Sequence, residues 1–214
     1  MKIKFLQETS LVLTNMINII SLEKSKPYKI FNKYYLDALK NNQKGTEIIA
    51  ISSFNKINNE VESRYVNLKY INKNEWIFFS NYDSQKGMDF LSHDQASVLI
   101  YWESINLQIR IKSKIKKTSE LLSNEHFKNR SNAKNALAIS SNQSKKIESY
   151  DEVVRNYNKS LKDDISLQQR PEFWGGYSFF PYYFEFWEGH KSRLNKRKVF
   201  HKKNDEWTSF ILQP

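Results

Sequence analysis

Residues 62–87 read ESRYVNLKYINKNEWIFFSNYDSQKG, and the rest of the chain is organised around them. β-Branched and aromatic residues on both sides of the polar stretch 72–75 predict two strands, 61–71 and 76–80, joined by a turn. Asp83 and Ser84 then open a short predicted helix that runs to Ser92, with Gln85 and Lys86 in its first turn. Unpaired N–H groups at a helix start, a capping hydroxyl and an ammonium converge there, while Arg64 and Lys69 arrive from the preceding strand. That is the outline of an anion site. Strict alternation places Arg64 and Lys69 on opposite faces, so a shared ligand requires the strand to bulge, twist or end between them. Gly87 inside a helix costs up to about 1 kcal/mol against alanine, which implies that something packs closely on that turn.

Working outward, further pieces fall in order over residues 28–214. Arg64 is followed by Leu68-Lys69; Phe78-Phe79-Ser80-Asn81 by Ser84 and Lys86; then come Gln108 and Arg110, Gln143-Ser144, and Glu185-Phe186-Trp187 with Gly189, Arg193-Leu194 and Arg197. In this register the chain resembles the FMN-binding pyridoxamine 5'-phosphate oxidase family. The resemblance implies an α+β fold, an FMN-binding split β-barrel that is mostly antiparallel with peripheral helices. It also implies a homodimer with FMN at the interface and O2 as oxidant.

Carried over position by position, the resemblance implies that FMN is bound by Arg64, Lys69, Ser80, Ser84, Gln85, Lys86, Gln108, Gln143, Ser144, Trp187 and Arg197. Gln85 stands where vitamin-synthesising members commonly have arginine. The implied substrate set is Lys69, His126, Arg130, Lys134, Arg193 and Asn195. Three of these depart from the family: His126 replaces tyrosine, Lys134 serine and Asn195 histidine. Arg193 is expected to clamp the substrate, and Arg197 to place positive charge where the reduced flavin becomes anionic.

The runs Ser84-Gln85-Lys86-Gly87, Tyr101-Trp102 and Leu212-Gln213-Pro214 are similar to the FMN oxidases of phenazine biosynthesis, although Lys69 and Asn195 depart from that branch. The altered substrate set favours an oxidase acting on a small anionic cyclic amine or dihydro-aromatic compound. The alternatives are a pyridoxamine/pyridoxine 5'-phosphate oxidase making pyridoxal 5'-phosphate, and a flavin-binding protein without turnover.

Composition narrows the class. Fourteen Phe, twelve Tyr and five Trp in 214 residues, with 39% hydrophobic residues, predict a buried core. There is no cysteine, which excludes disulfides and thiolate chemistry, and the four histidines lack metal-ligand spacing. No metal is expected. The net charge of +11 comes from lysines spread along the whole chain, a pattern that argues against a nucleic-acid surface. No apolar run has membrane-spanning length and the amino terminus is a poor signal peptide, so a cytoplasmic protein is expected.

The remaining elements follow from periodicity. Residues 1–26 read as a leader and 27–214 as one domain. A helix begins at Pro27 and ends near 41–45, and a strand covers 46–53. A hairpin pairs 96–103 with 106–117 and turns Gln108 and Arg110 to its polar side. Helices are predicted over 118–130 with a Thr118 cap, 132–140 and 149–161. His126, Arg130 and Lys134 share a face only if the first two helices continue or nearly continue. A long strand at 174–188 and a hairpin of 197–201 with 207–212 complete a sheet of six or seven strands.

Overall fold

Nine aromatic side chains crowd residues 174–188, and these residues form one 15-residue strand on which the sheet is built. The structure is a computed structural model that describes residues 16–214. In chain order it contains β1 (Asn18–Leu22), α1 (Lys26–Lys40), β2 (Ile48–Asn55), β3 (Glu60–Asn67), β4 (Tyr70–Lys73) and β5 (Glu75–Asn81). Then follow α2 (Gln85–Ser92), β6 (Gln95–Trp102), β7 (Leu107–Lys117), α3 (Glu120–Lys128), α4 (Asn132–Ser140), α5 (Tyr150–Leu161), β8 (Trp174–Glu188), β9 (Lys196–Lys203) and β10 (Glu206–Leu212).

The strand order is β1-β4-β5-β8-β7-β6-β2-β3, with β9 added to β8 and β10 to β9. Every pairing is antiparallel except β1 with β4. The described residues thus hold ten strands, where six or seven were expected. Two causes account for most of the difference: the expected strand 61–71 is two strands, and Asn18–Leu22, expected in the leader, joins the sheet. The first fifteen residues of that leader lie outside the described residues.

β8 serves three neighbours because it is long and bends. Its first part pairs with β5, its last part with β9, and most of its length with β7. The β7–β8 register shifts between Lys112 and Ser113, opposite Pro181, whose missing N–H cannot continue a ladder. Alternation on β7 is strict: Leu107, Ile109, Ile111 and Ile115 are buried, while Arg110, Lys112, Lys114 and Lys116 are exposed.

Helix α1 closes the core. Tyr28, Phe31, Tyr35 and Ala38 recur at helical spacing and are all buried, with Phe31 4.5 Å from the Trp76 ring and Tyr28 5.2 Å from Phe184. No helix of the described residues is long and apolar enough to cross a membrane.

Two local expectations need correction. The hydroxyl of Ser84 does not cap α2; it donates to the Asn81 carbonyl at 2.7 Å and accepts from Lys86. α3 is capped by Ser119, which accepts from Leu122 N–H, because Thr118 still belongs to the incoming segment and bonds the Gly176 carbonyl through its backbone.

Gly87 has a clear reason. A Cβ there would stand 1.9 Å from the Tyr82 carbonyl oxygen, so a neighbouring backbone, not a ligand, occupies the space. Helix propensity alone predicts that Gly87→Ala stabilises by about 1 kcal/mol. The backbone contact predicts the opposite sign, a loss of about 1–3 kcal/mol in denaturant unfolding.

Candidate functional site

Between β3, the start of α2 and the α3–α4 corner lies a cavity of about 600 Å³. It is lined by Arg64, Lys69, Ser80, Gln85, Lys86, His126, Arg130, Lys134, Gln143 and Ser144, ten of the residues singled out in the sequence. Ser84 lies just beneath, fully buried. The strand question has a definite answer: β3 ends at Asn67, Leu68 N–H bonds the Glu47 carbonyl and Lys69 N–H the Ile77 carbonyl. The chain therefore leaves the alternating pattern between Arg64 and Lys69, and both line the same cavity.

At the α2 end the polar groups form a connected set. Lys86 Nζ donates to Ser84 Oγ at 2.9 Å and to Gln143 Oε1 at 3.2 Å, and Ser80 Oγ donates to the same Gln143 oxygen at 3.3 Å. Arg64 Nη1 donates to Ser53 Oγ at 2.7 Å. Ser53 in turn donates to Asp89, which also receives Gln85 Nε2 at 3.0 Å. Burial, with Arg64 nearby, lowers the Lys86 ammonium to about 8, while Asp89 works in the other direction. Its hydrogen-bond partners here are neutral oxygens, so this ammonium is desolvated without a carboxylate bonded to it.

The opposite corner holds Lys69, His126, Arg130 and Lys134. Helices α3 and α4 do not run on; Asn129 ends one and Ser131 caps the next, accepting from Lys134 N–H. The three side chains nevertheless reach the same corner, and Arg130 Nη2 donates to the Lys134 carbonyl at 3.0 Å. Arg130 lies over Trp174 at 4.3 Å, is lowered to about 10 by burial, and its Nη1 is buried without a partner. Burial first, then Arg130, Lys69 and Lys134, push His126 down to about 3, so the imidazole is neutral. The cavity can accept two anionic groups, one at each end.

Gln108, Trp187, Arg193, Asn195 and Arg197 are not brought to this cavity. Gln108 pairs with Trp187, and Trp187 with Arg197, in one row across β7, β8 and β9. Trp174 opens β8 at the cavity whereas Trp187 stands near its far end, and 15 residues of strand are on the order of 50 Å of extended chain. Arg197 is held by Glu185, with Nε at 2.8 Å and Nη2 at 2.7 Å from Oε1, and Nη1 donates to the Gln213 carbonyl. Arg193 is exposed at φ 61° in the β8–β9 turn. Asn195 closes that turn by accepting from His190 N–H at 3.0 Å.

Sequence reading quoted Phe79 and Glu185 within motifs but gave no site role to them, to Trp174, which with Phe79 lines the cavity, or to the buried Asp89. Asp89 had a signal, being four residues after Gln85 on α2 and therefore on its face. The aromatic pair had none that separates it from core.

Comparison with known proteins agrees with this geometry. Residues 174–214 match the family model described as the pyridoxine 5'-phosphate oxidase C-terminal dimerisation region. The pyridoxine/pyridoxamine 5'-phosphate oxidase of Colwellia psychrerythraea is 32% identical over 190 residues, 88% of this chain and 87% of that one. Among solved structures, PhzG from Burkholderia lata 383, in complex with tetrahydrophenazine-1-carboxylic acid, superposes with a TM-score of 0.83 at 23% identity, covering 89% of this chain and 93% of that one. A pyridoxamine 5'-phosphate oxidase-related, FMN-binding protein from Nostoc punctiforme gives 0.73 at 13% identity, with 89% and 99% covered. With that similarity spread over most of both chains and the polar cavity in place beneath it, the chain belongs to the pyridoxine/pyridoxamine 5'-phosphate oxidase family of FMN-dependent oxidases.

Proposed function

We propose that the chain oxidises a small anionic ring compound, a cyclic amine or a dihydro-aromatic acid, with O2 as the final acceptor. The observation that carries this reading is the pair of cationic ends in one cavity, Arg64 with Lys86 and Lys69 with Arg130 and Lys134. The residues at the first end fit the phosphate of FMN. Lys86 is desolvated with only neutral oxygens bonded to it, and Arg64, Gln85, Ser80, Ser84, Gln143 and Ser144 surround or support it. The chemistry a bound FMN supplies is hydride acceptance from a carbon bearing nitrogen or from a partly reduced ring, with oxygen carrying the electrons away as hydrogen peroxide.

The second end then holds the substrate's anionic group. Lys134 adds a long cationic side chain and His126 a flat neutral one, which alters both charge and reach from the paired hydroxyls implied by the family resemblance. Pyridoxamine or pyridoxine 5'-phosphate is the second reading. It is favoured by the three cations in that corner, which suit a phosphate dianion, and by the name of the Colwellia relative.

Gln108, Trp187, Arg193, Asn195 and Arg197 serve the cavity of the other subunit in a homodimer with FMN at the interface. Support comes from the sheet face that carries them. Ile48, Leu99 and Tyr101 are 45%, 41% and 54% exposed on that face, beside Gln108, and a dimerisation region is matched over 174–214. Arg193 would lie against the substrate and Arg197 near the flavin.

Three measurements check this reading. Anaerobic mixing of FMN-loaded protein with tetrahydrophenazine-1-carboxylic acid is expected to bleach the flavin band; bleaching by pyridoxamine 5'-phosphate instead, with pyridoxal 5'-phosphate formed, selects the second reading. Co-expression of Lys86→Met with Arg193→Ala chains is expected to restore about a quarter of wild-type sites through mixed dimers, since half the dimers then hold one intact site of two. No recovery would place both residues in one subunit's site. Finally, the lowered Lys86 means the apoprotein's stability rises with pH between about 8 and 10.5, where the unfolded chain binds more protons. FMN affinity falls over the same interval, and both trends are smaller in Lys86→Met, where the lowered Lys69 and Arg130 are left to contribute.

A further inference from the structure

Tyr70 is the first residue of β4, directly after Lys69, and its hydroxyl lies 2.9 Å from His126 Nδ1. Aromatic rings hold the imidazole in place. Phe79 stacks on its face at 3.7 Å and 11°, Trp174 lies parallel at 6.2 Å, and the Tyr70 ring meets its edge at 5.4 Å and 88°. Nδ1 being committed to Tyr70, Nε2 is the ring nitrogen left for the cavity, which His126 lines together with Lys69, Arg130 and Lys134.

We propose that Tyr70 is a positioning residue that holds the neutral His126 imidazole in the tautomer whose Nε2–H faces the anion corner. This rests on the reading of that corner as the substrate's anion site. A neutral imidazole has one N–H, and which nitrogen carries it is set by the bond the other makes. His126 Nδ1 is the one hydrogen-bond partner of the Tyr70 hydroxyl among the described residues, so the hydroxyl is placed by donating to Nδ1, which leaves the ring proton on Nε2. The opposite tautomer would turn a lone pair toward the bound anion. Tyr70 thereby gives the corner a neutral donor among three cations, and the imidazole supplies it without adding a fourth charge beside Lys69, Arg130 and Lys134. A cationic His126 would raise repulsion in the empty site, and the wrong tautomer would set its Nε2 lone pair against the ligand.

The test uses FMN-loaded protein labelled with ¹⁵N-histidine, titrated with inorganic phosphate. Long-range ¹H–¹⁵N spectra are expected to show His126 with a protonated Nε2 and a bare Nδ1 at saturating phosphate. In Tyr70→Phe, which keeps the ring packing, the two tautomers are expected to mix and phosphate affinity to fall about three- to tenfold, the loss of one hydrogen bond. FMN affinity is expected to stay as in the wild type, and the melting temperature to fall by no more than a few degrees. A wild-type His126 that responds to phosphate with Nδ1 protonated, or an unchanged phosphate affinity in Tyr70→Phe, would overturn the assignment of Tyr70 alone. No response of His126 to phosphate would overturn the anion-corner reading and this proposal with it.

Discussion

Arg64, Lys69, Lys86, Arg130 and Lys134 surround one cavity, and among the described residues their one ion-pair partner is the buried Asp89, 3.9 Å from Arg64. Burial lowers four of the five pKa values, those of Arg64, Lys69, Lys86 and Arg130. Two unit charges 8 Å apart repel by about 2 kcal/mol at an effective dielectric of about 20, so this cluster works against the folded state. Relief comes from whatever anion enters. In the proposed reading the cluster is a place where stability is spent on recognition, and an anion bound there stabilises the fold.

Such a cluster stays open only because the walls are stiff. β5 and α2 are anchored through Phe78, Phe90 and Tyr177, whose rings pack at 5.2–6.4 Å around one another. Gly175 and Gly176 let β8 approach without a side chain: a Cβ on either would stand 2.2 Å from the Tyr82 hydroxyl or the Thr118 methyl. That close approach seats α3 against β8, with Ser123 Oγ accepting from Gly176 N–H at 3.1 Å. α3 in turn sets His126 at the cavity. The small residues of β8 and the cations of the site are thus two parts of one arrangement.

Much of this was readable in the sequence because it depends on local rules. Periodicity placed α1, β2, the β6–β7 hairpin, α4, α5, β8 and the β9–β10 hairpin within a few residues of where they stand. The ten cavity residues could be collected because the motifs that carry them stand in the order of the family the chain resembles, which implies their roles position by position. Long-range facts were not readable. Nothing local says that β3 ends at Asn67, since Leu68 and Lys69 have ordinary strand character; the break is made by bonds to Glu47 and Ile77. Nor could alternation show that Asn195 would be consumed by the turn, accepting from His190, when its place in the motif suggested a ligand contact. The parallel pairing of β1 with β4 was hidden for the same reason, as β1 is short and half polar.

The far edge of β8 follows a different electrostatic logic from the cavity. Glu185 is 1% exposed and accepts from Arg197 on one oxygen and from Arg110 and the Tyr183 hydroxyl on the other, at 2.7–3.1 Å. Two guanidinia and one carboxylate leave a single net positive charge there, spread over both arginines. Removing the carboxylate would leave two facing cations half-buried, a change of the kind that costs about 3–5 kcal/mol. What Glu185 secures is direction more than charge. Three of the five Arg197 N–H groups are committed, to Glu185 and to the Gln213 carbonyl, and the two that remain lie in the plane those bonds fix. A lysine at 197 would carry the same charge without that plane. In the proposed dimer site that free N–H pair is aimed before any ligand arrives, an arrangement of the kind by which a site avoids reorganisation at the moment of reaction.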